Sequence, residues 1–340
     1  MNIIKHRNIP FIISGLLFLT SVVLLVTIGV KPGIDFTGGS LIEVAFTQER
    51  PTIQQVEESI ATFDLGEVKI QPAGEQNMIL RMRFITEDEH QAVLESLRTD
   101  FPVTNEIEEE DTSDSAIEIT SEGSEVSGVT LGEDGTANII GETAPLLSVI
   151  EERVETIGPS ISAHLRERAW EIGLAVIVAI VLYIAYAFRK VSKPVSSWKF
   201  GVTAIIALVH DVSIVIGVFV LLGYFFGVEV NIPFVVALLT ILGYSVNDTI
   251  VVFDRIRENL IKFGYSKYEM VVNKGVNETL VRSFNTSLTT LLVLFALFFF
   301  GGETIKYFAL ALIVGAIAGT YSSIFLASPL LVVWERIGKK

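Results

Sequence analysis

Six long apolar runs decide what this chain can become: Ile9–Val30, Ile172–Phe188, Val202–Phe226, Ile232–Phe253, Leu280–Phe300 and Tyr307–Trp334. They match the roughly 20 residues that a helix needs to cross the hydrocarbon of a bilayer. Lipid offers the backbone no hydrogen-bond partner, so runs of this length must be helices that satisfy their own N–H and C=O groups. The expected core of the fold is an α-helical membrane bundle of six transmembrane helices. Half of the 340 residues are hydrophobic, and the formal net charge of −14 does not argue against insertion. No Lys or Arg occurs between Arg98 and Arg153, so the acid belongs to one segment outside the membrane. The absence of cysteine removes disulfides, thiolate catalysis and Cys-based zinc sites.

Basic residues in short loops set the orientation. Lys5 and Arg7 precede the first run. Arg189, Lys190, Lys193 and Lys199 lie between the second and third, and Arg255, Arg257, Lys262, Lys267 and Lys274 between the fourth and fifth. Arg336, Lys339 and Lys340 close the chain, whereas the alternate loops carry almost no positive charge. Both termini are expected to be cytoplasmic. The first run is too long for a signal-peptide core and has no small-x-small site before Lys31, so an uncleaved span is expected.

The stretch after the first span then lies on the far side of the membrane. It opens with Gly33, Asp35, Gly38 and Gly39, residues suited to a tight turn. Strand-like SLIEVAF (Ser40–Phe46), EVKIQ (Glu67–Gln71) and MILRMRF (Met78–Phe84) alternate with helix-like Thr52–Phe63 and Glu87–Arg98, and Pro102–Glu109 reads as a last strand. The order β-α-β-β-α-β is the ferredoxin-like motif. The expected plan is a first transmembrane helix over 1–30 with a cytoplasmic amino terminus and an extracytoplasmic ferredoxin-like domain over 31–105. An acidic mobile insertion over 106–145, with room for a weak hairpin, leads to a return segment to the membrane over 146–169. A five-helix membrane region over 170–335 and a cytoplasmic tail over 336–340 complete it.

Ionisable residues inside the spans are the functional candidates, because a charge at the bilayer centre costs about 2.5–3.5 kcal/mol on insertion scales. Asp248 interrupts the fourth run, with Tyr244 and Ser245 four and three residues before it on the same helix face and Asn247 and Thr249 beside it. On the fifth run Arg282, Asn285, Thr286 and Thr289 form one stripe at i, i+3, i+4 and i+7. The two helices are antiparallel, and Asp248 and Arg282 both fall in the cytoplasmic half, where they could meet. Two readings stand for Arg282: a partner for Asp248, or a side chain that snorkels to the interface. His210 and Asp211 sit about 18 Å along the third run from Lys199, and for His210 alone a satisfied packing role is the plainer reading. Gly315, Gly319 and Ser323, four apart, make a small-residue face of the kind that lets helices approach.

GIDFTGG (Gly33–Gly39), IGPS (Ile157–Ser160), HDV (His210–Val212), YSVNDTIVVFDRIREN (Tyr244–Asn259) and RSFNTSLTTLL (Arg282–Leu292) occur in one order over nearly the whole chain. Together they resemble the SecF branch of the SecD/SecF protein-export membrane proteins, within the resistance-nodulation-division superfamily. The acidic stretch Glu106–Glu142 is long for the external domain of that family. The resemblance implies a multi-pass protein of the bacterial cytoplasmic membrane that uses the proton gradient to promote export. SecD is the implied second half, and the SecY, SecE and SecG channel, YajC and the exported preprotein are the implied partners, with membrane lipid around them. It makes Asp248 the proton-carrying carboxylate and Arg282 its partner. No cofactor, metal or nucleic acid is expected. The residues themselves leave two other classes open: a small-molecule proton antiporter of the same superfamily, and an intramembrane aspartyl protease using Asp211 and Asp248 as a dyad.

Overall fold

The computed structural model describes residues 2–102, 129–131, 137–139, 148–187, 197–264 and 267–337. They fall into two compact units, Met1–Thr37 with Ser160–Lys340, and Gly38–Pro159. In chain order, the first unit opens with a short turn at Ile4–His6, helix α1 (Asn8–Thr27) and the single turn α2 (Ile34–Thr37). The second unit holds β1 (Gly39–Phe46), α3 (Ile53–Ile60), β2 (Lys69–Ala73), β3 (Asn77–Met82), α4 (Glu87–Asp100), β4 (Val129–Leu131), β5 (Ala137–Ile139) and β6 (Val149–Ile157). The first unit resumes with α5 (Pro159–Ala187), α6 (Ser197–Phe226), α7 (Ile232–Phe263), α8 (Tyr268–Phe300) and α9 (Glu303–Ser322). A π-helical turn (Ser323–Ala327) and α10 (Ser328–Ile337) complete it.

Among the described residues six helices are long and apolar enough to cross a membrane, α9 continuing through the π turn into α10 as one span. They correspond to the six runs of the sequence. Several outlast those runs, because backbone hydrogen bonding does not stop where hydrophobicity does. Thus α7 continues from Phe253 to Phe263, ending at Gly264 with φ +72°, and α8 begins at Tyr268 rather than Leu280. Asn231 starts α7 by accepting from Phe234 N at 3.2 Å, with Pro233 in the first turn, where its missing N–H costs nothing.

The sixth span is the most enclosed, and it packs on α6, α7 and α8. Glycines permit this. A methyl at Gly315 would lie 2.3 Å from Ile241, and one at Gly319 would lie 3.1 Å from Ser245 Cβ, so the small-residue face on α9 is where α7 is seated. By contrast α1 and α5 bury little of themselves within this chain.

The second unit is built on a four-stranded antiparallel sheet in the order β2-β3-β1-β6, with α3 between β1 and β2 and α4 between β3 and β6. That is the β-α-β-β-α-β arrangement. Its core is Ile42, Val44, Val56, Leu80, Val93, Leu97 and Val149. Both helices start with reciprocal capping boxes, Thr52 with Gln55 and Thr86 with Glu89.

The fourth strand, however, is Val149–Ile157, which the sequence places in the return segment, and not Pro102–Glu109, of which 103–109 lie outside the described residues. The acidic stretch therefore enters inside the motif, between α4 and its last strand, rather than after it. The ends of that insertion are adjacent: Arg98 Nε donates to Val149 O at 3.2 Å and Ser148 Oγ to Arg98 O at 3.4 Å. The reason for the difference is physical. β6 is an edge strand rich in Glu151, Glu152, Arg153 and Glu155, and charged edges lack the apolar alternation by which a strand is recognised. The expected mobility of the acidic insertion falls almost entirely on residues outside the described set. Within it, the short antiparallel pair β4–β5 is described.

Candidate functional site

Because α7 packs against α6, α8 and α9, its polar residues are shared among three neighbours. Asp248 is half-buried, and its two oxygens go to different helices. Ser283 Oγ of α8 donates to Oδ1 at 2.7 Å, and Ser323 Oγ, the first residue of the π turn, donates to Oδ2 at 2.5 Å. The π turn widens the helix by one residue, and such bulges recur at functional positions. Ser328 Oγ helps to satisfy the widened backbone by donating to Ser323 O at 2.8 Å.

One residue earlier, Ser322 Oγ donates at 2.7 Å to Asp211 Oδ2, which also accepts from Ser245 Oγ at 2.6 Å. Asp211 Oδ1 lies 2.9 Å from His210 Nδ1. Asp211 has no solvent-exposed surface, and the His210 ring is stacked near Tyr321 at 6.5 Å between centroids. Neighbouring serines of one turn thus hold two carboxylates on two different helices. A third link extends the polar column: Tyr244 OH donates to Ser287 Oγ at 3.1 Å, and Ser287 is hydrogen-bonded to Thr320.

The sequence-predicted residues are only partly brought together. Ser245, Asp248 and, through Ser287 of α8, Tyr244 join the same column, and Thr249 is buried beside them. Adjacent His210 and Asp211 are hydrogen-bonded to each other. Arg282 does not meet Asp248: among the described residues the two form no ion pair, and Arg282, Asn285, Thr286 and Thr289 are all exposed at the surface of this chain, as is Asn247. The stripe on α8 is real, but it is turned outward. The inward face of α8 is Thr279, Ser283 and Ser287. Their i, i+4, i+8 spacing was available in the sequence, but hydroxyls alternating with apolar residues are weaker signals than an arginine. Ser322 was likewise missed, since it neighbours the small-residue face without belonging to it.

Asp211 and Asp248 share no direct hydrogen bond among the described residues; each carboxylate is held by its own serines. A protease dyad requires the two carboxyls to share one proton. Among the same residues, no group of three His, Cys, Asp or Glu side chains is placed to hold a metal ion.

At the amino end of α7, Gly33 N donates to Val230 O at 2.7 Å and Val230 N to Lys31 O at 2.7 Å. Asp35 Oδ2 accepts from Ile232 N at 2.7 Å. Gly38 and Gly39 follow with φ of +75° and +131°, a backbone that side chains resist. The glycine-rich motif thus forms the tight turn expected of it.

Comparison with known proteins places these features. Residues 140–337 match the family described as protein export membrane protein SecD/SecF, C-terminal, and residues 23–49 match the SecD/SecF GG motif. Protein translocase subunit SecF of Thermobaculum terrenum is 36% identical over 99% of this chain and 94% of its own length. The SecF subunit of Desulfurispirillum indicum is 38% identical over 97% of this chain and 90% of its own. The crystal structure of SecDF from Thermus thermophilus, described as a translocon-associated membrane protein, superposes with a TM-score of 0.73 at 30% identity. It covers 99% of this chain, which spans only 39% of the SecDF chain. With six apolar spans, a small antiparallel sheet and relatives of nearly equal length, this multi-pass membrane protein belongs to the SecD/SecF family of protein-export membrane proteins.

Proposed function

We propose that the chain is a SecF-type accessory subunit of the Sec translocase which, with SecD, uses the proton motive force to promote export of preproteins. Asp248 is the carboxylate that binds and releases the ion. The observation that carries this reading is the geometry of Asp248: a half-buried carboxylate inside an apolar helix, accepting hydroxyl protons from α8 and from the π turn. An ionised Asp248 only accepts hydrogen bonds; a protonated one must donate one. Protonation therefore forces at least one serine to find another acceptor, and Thr320 O lies 3.1 Å from Ser323 Oγ. The contact between α7 and the sixth span changes with the charge. Each proton crossing 100 mV supplies about 2.3 kcal/mol, enough to shift a balance between two arrangements.

The outward polar face supports the SecD half of the proposal. Lipid is a poor cover for Asn247, Arg282, Asn285 and Thr286, whereas a second helical bundle can hydrogen-bond them. In the SecDF relative from Thermus thermophilus, 54% of this chain aligns at 48% identity with 23% of a longer protein, consistent with a second half in the same polypeptide. Arg282 then lies at the face toward SecD, and Asp248 alternates between pairing with it and standing apart, as it does in this structure. In this reading both termini are cytoplasmic and the sheet unit is on the far side of the bacterial inner membrane. There it acts on the preprotein leaving the SecY, SecE and SecG channel, with YajC as a further neighbour.

The test is export of a preprotein into inverted membrane vesicles with and without an imposed gradient, comparing the native chain with Asp248→Asn. The expected result is loss of the gradient-dependent part alone; equal behaviour of the two would refute the assignment. Separate proton and sodium gradients identify the ion.

A further inference from the structure

We infer that Lys31–Thr37 is a strap fastening the chain that leads into the sheet unit onto the amino end of α7, and that Asp35 is the positioning residue that holds it there. The inference rests on the reading of Asp248 as the ion-coupling group, since it concerns how movement of the helix bearing Asp248 is passed on.

The strap is fixed at three points. Two are the reciprocal backbone bonds of the Pro32–Val230 bridge, and the third is the Asp35 carboxylate on Ile232 N. A helix start leaves its first N–H groups without intrahelical partners. Here Asn231 takes Phe234 N and Asp35 takes Ile232 N, so one of the two caps of α7 comes from a residue nearly two hundred positions away. The negative charge also suits the positive end of the helix dipole. Gly33 permits the approach, since a methyl there would lie 3.2 Å from Val230 O and 3.5 Å from Glu229 Oε2. Val30 and Phe36, on either side, pack against the cluster of Phe219, Val228, Val230 and Phe234.

From Ile232 the helix runs without interruption to Asp248, about 24 Å along its axis at 1.5 Å per residue. A helix of this kind moves as a rod. A shift at Asp248 therefore displaces Ile232, and with it Asp35. Three and four residues later come Gly38 and Gly39 at positive φ, where the sheet unit begins. The other covalent connection to that unit leads into α5, the least enclosed of the six spans. The strap is thus the connection that senses α7.

The experiment uses the complete translocase in inverted vesicles and compares native chain, Asp35→Ala, Asp35→Asn and Asp248→Asn. Asn keeps an oxygen that accepts from Ile232 N; Ala does not. Asp35→Ala is expected to lower gradient-dependent export at least threefold with the gradient-independent part intact, while Asp35→Asn stays within twofold of native. Asp35→Ala matching native in vesicles where Asp248→Asn has lost gradient dependence would overturn the strap and leave the reading of Asp248 standing. An Asp248→Asn chain that keeps its gradient dependence refutes that reading instead. The contrast between Ala and Asn at position 35 still judges the strap.

A second arm does not depend on removing a cap. The chain has no cysteine, and neighbouring strands lie about 4.8 Å apart, inside the Cα separation a disulfide spans, so Pro32→Cys with Val230→Cys, placed at the bridge, is chosen to lock the strap shut. The locked protein is expected to keep gradient-dependent export. Loss of it, restored by reductant, would mean that the strap must open, and the proposal would fall.

Discussion

At the residue scale, the side chains that matter most here are serines. Ser322 and Ser323 are consecutive, yet the first serves Asp211 on α6 and the second Asp248 on α7. Adjacent helical residues point about 100° apart, so one turn can address two neighbours. Hydrogen bonds to charged groups contribute about 1.5–3 kcal/mol each, which is why a carboxylate with no exposed surface, Asp211, is found with three polar neighbours rather than one. The same rule operates outside the membrane. The Arg83 guanidinium, 2.6 Å from Glu89, with help from Thr86 N at 2.8 Å, holds the Glu89 carboxyl down to about 2 from its usual 4.5. A lowered folded-state value means that this contribution to stability is complete above about 4.5 and is lost as pH falls toward 2. The protection of amides in the first turn of α4 against hydrogen exchange, taken relative to their intrinsic rates at each pH, is expected to fall over that window. Glu89→Gln should remove the pH dependence; an unchanged profile in the variant would show that other groups cause it.

At the element scale, the membrane bundle is ordered by where helices can touch backbone to backbone. A methyl placed on Gly217 of α6 would lie 2.9 Å from Ser21 Cα of α1, and one on Gly275 of α8 would lie 3.0 Å from Ile256 Cα of α7. Backbone cannot swing aside as a side-chain tip can. Gly173 of α5, by contrast, has nothing within 4 Å. Gly→Ala in a helix gains about 1 kcal/mol of intrinsic propensity, while overpacking costs about 1–3 kcal/mol. Gly217→Ala and Gly275→Ala should therefore lower the thermal midpoint in detergent, and Gly173→Ala should leave it level or raise it. Equal midpoints for all three would show that these helices separate at no cost.

At the scale of the whole molecule, the helical unit carries polar groups on its outer face. α5 and α1 are mostly uncovered, and α8 turns Arg282, Asn285 and Thr286 away from its own bundle. In the proposed reading these groups face SecD, since lipid covers them poorly. With a photo-cross-linking residue at Asn285 or Asn247, capture of SecD is expected from membranes containing both proteins. Capture from neither position would assign the polar face to something else. The sheet unit tells a parallel story about long-range assembly. Its acidic insertion begins and ends at neighbouring points, at Arg98 and Val149, so a long excursion leaves the four-stranded sheet intact, because closing a loop grows costly only slowly with its length.

The sequence by itself determined the six spans, the order of elements in the sheet unit, the glycine-rich turn after α1 and which ionisable residues fall inside apolar runs. All of these follow from hydrophobic length, from periodicity, or from one residue being out of place in its surroundings. It also singled out Asp248, since a carboxylate within an apolar run is visible without knowledge of any neighbour. Only the tertiary structure decided which face of α8 points inward, that Ser283 and Ser323 rather than Arg282 hold Asp248, and that Asp211 belongs with Ser245 and Ser322. It also decided that the last strand of the sheet is the charged edge Val149–Ile157. The physical reason is common to these cases. The partners come from elements far apart in the chain, and helical periodicity specifies which residues share a face but not which neighbour that face will meet.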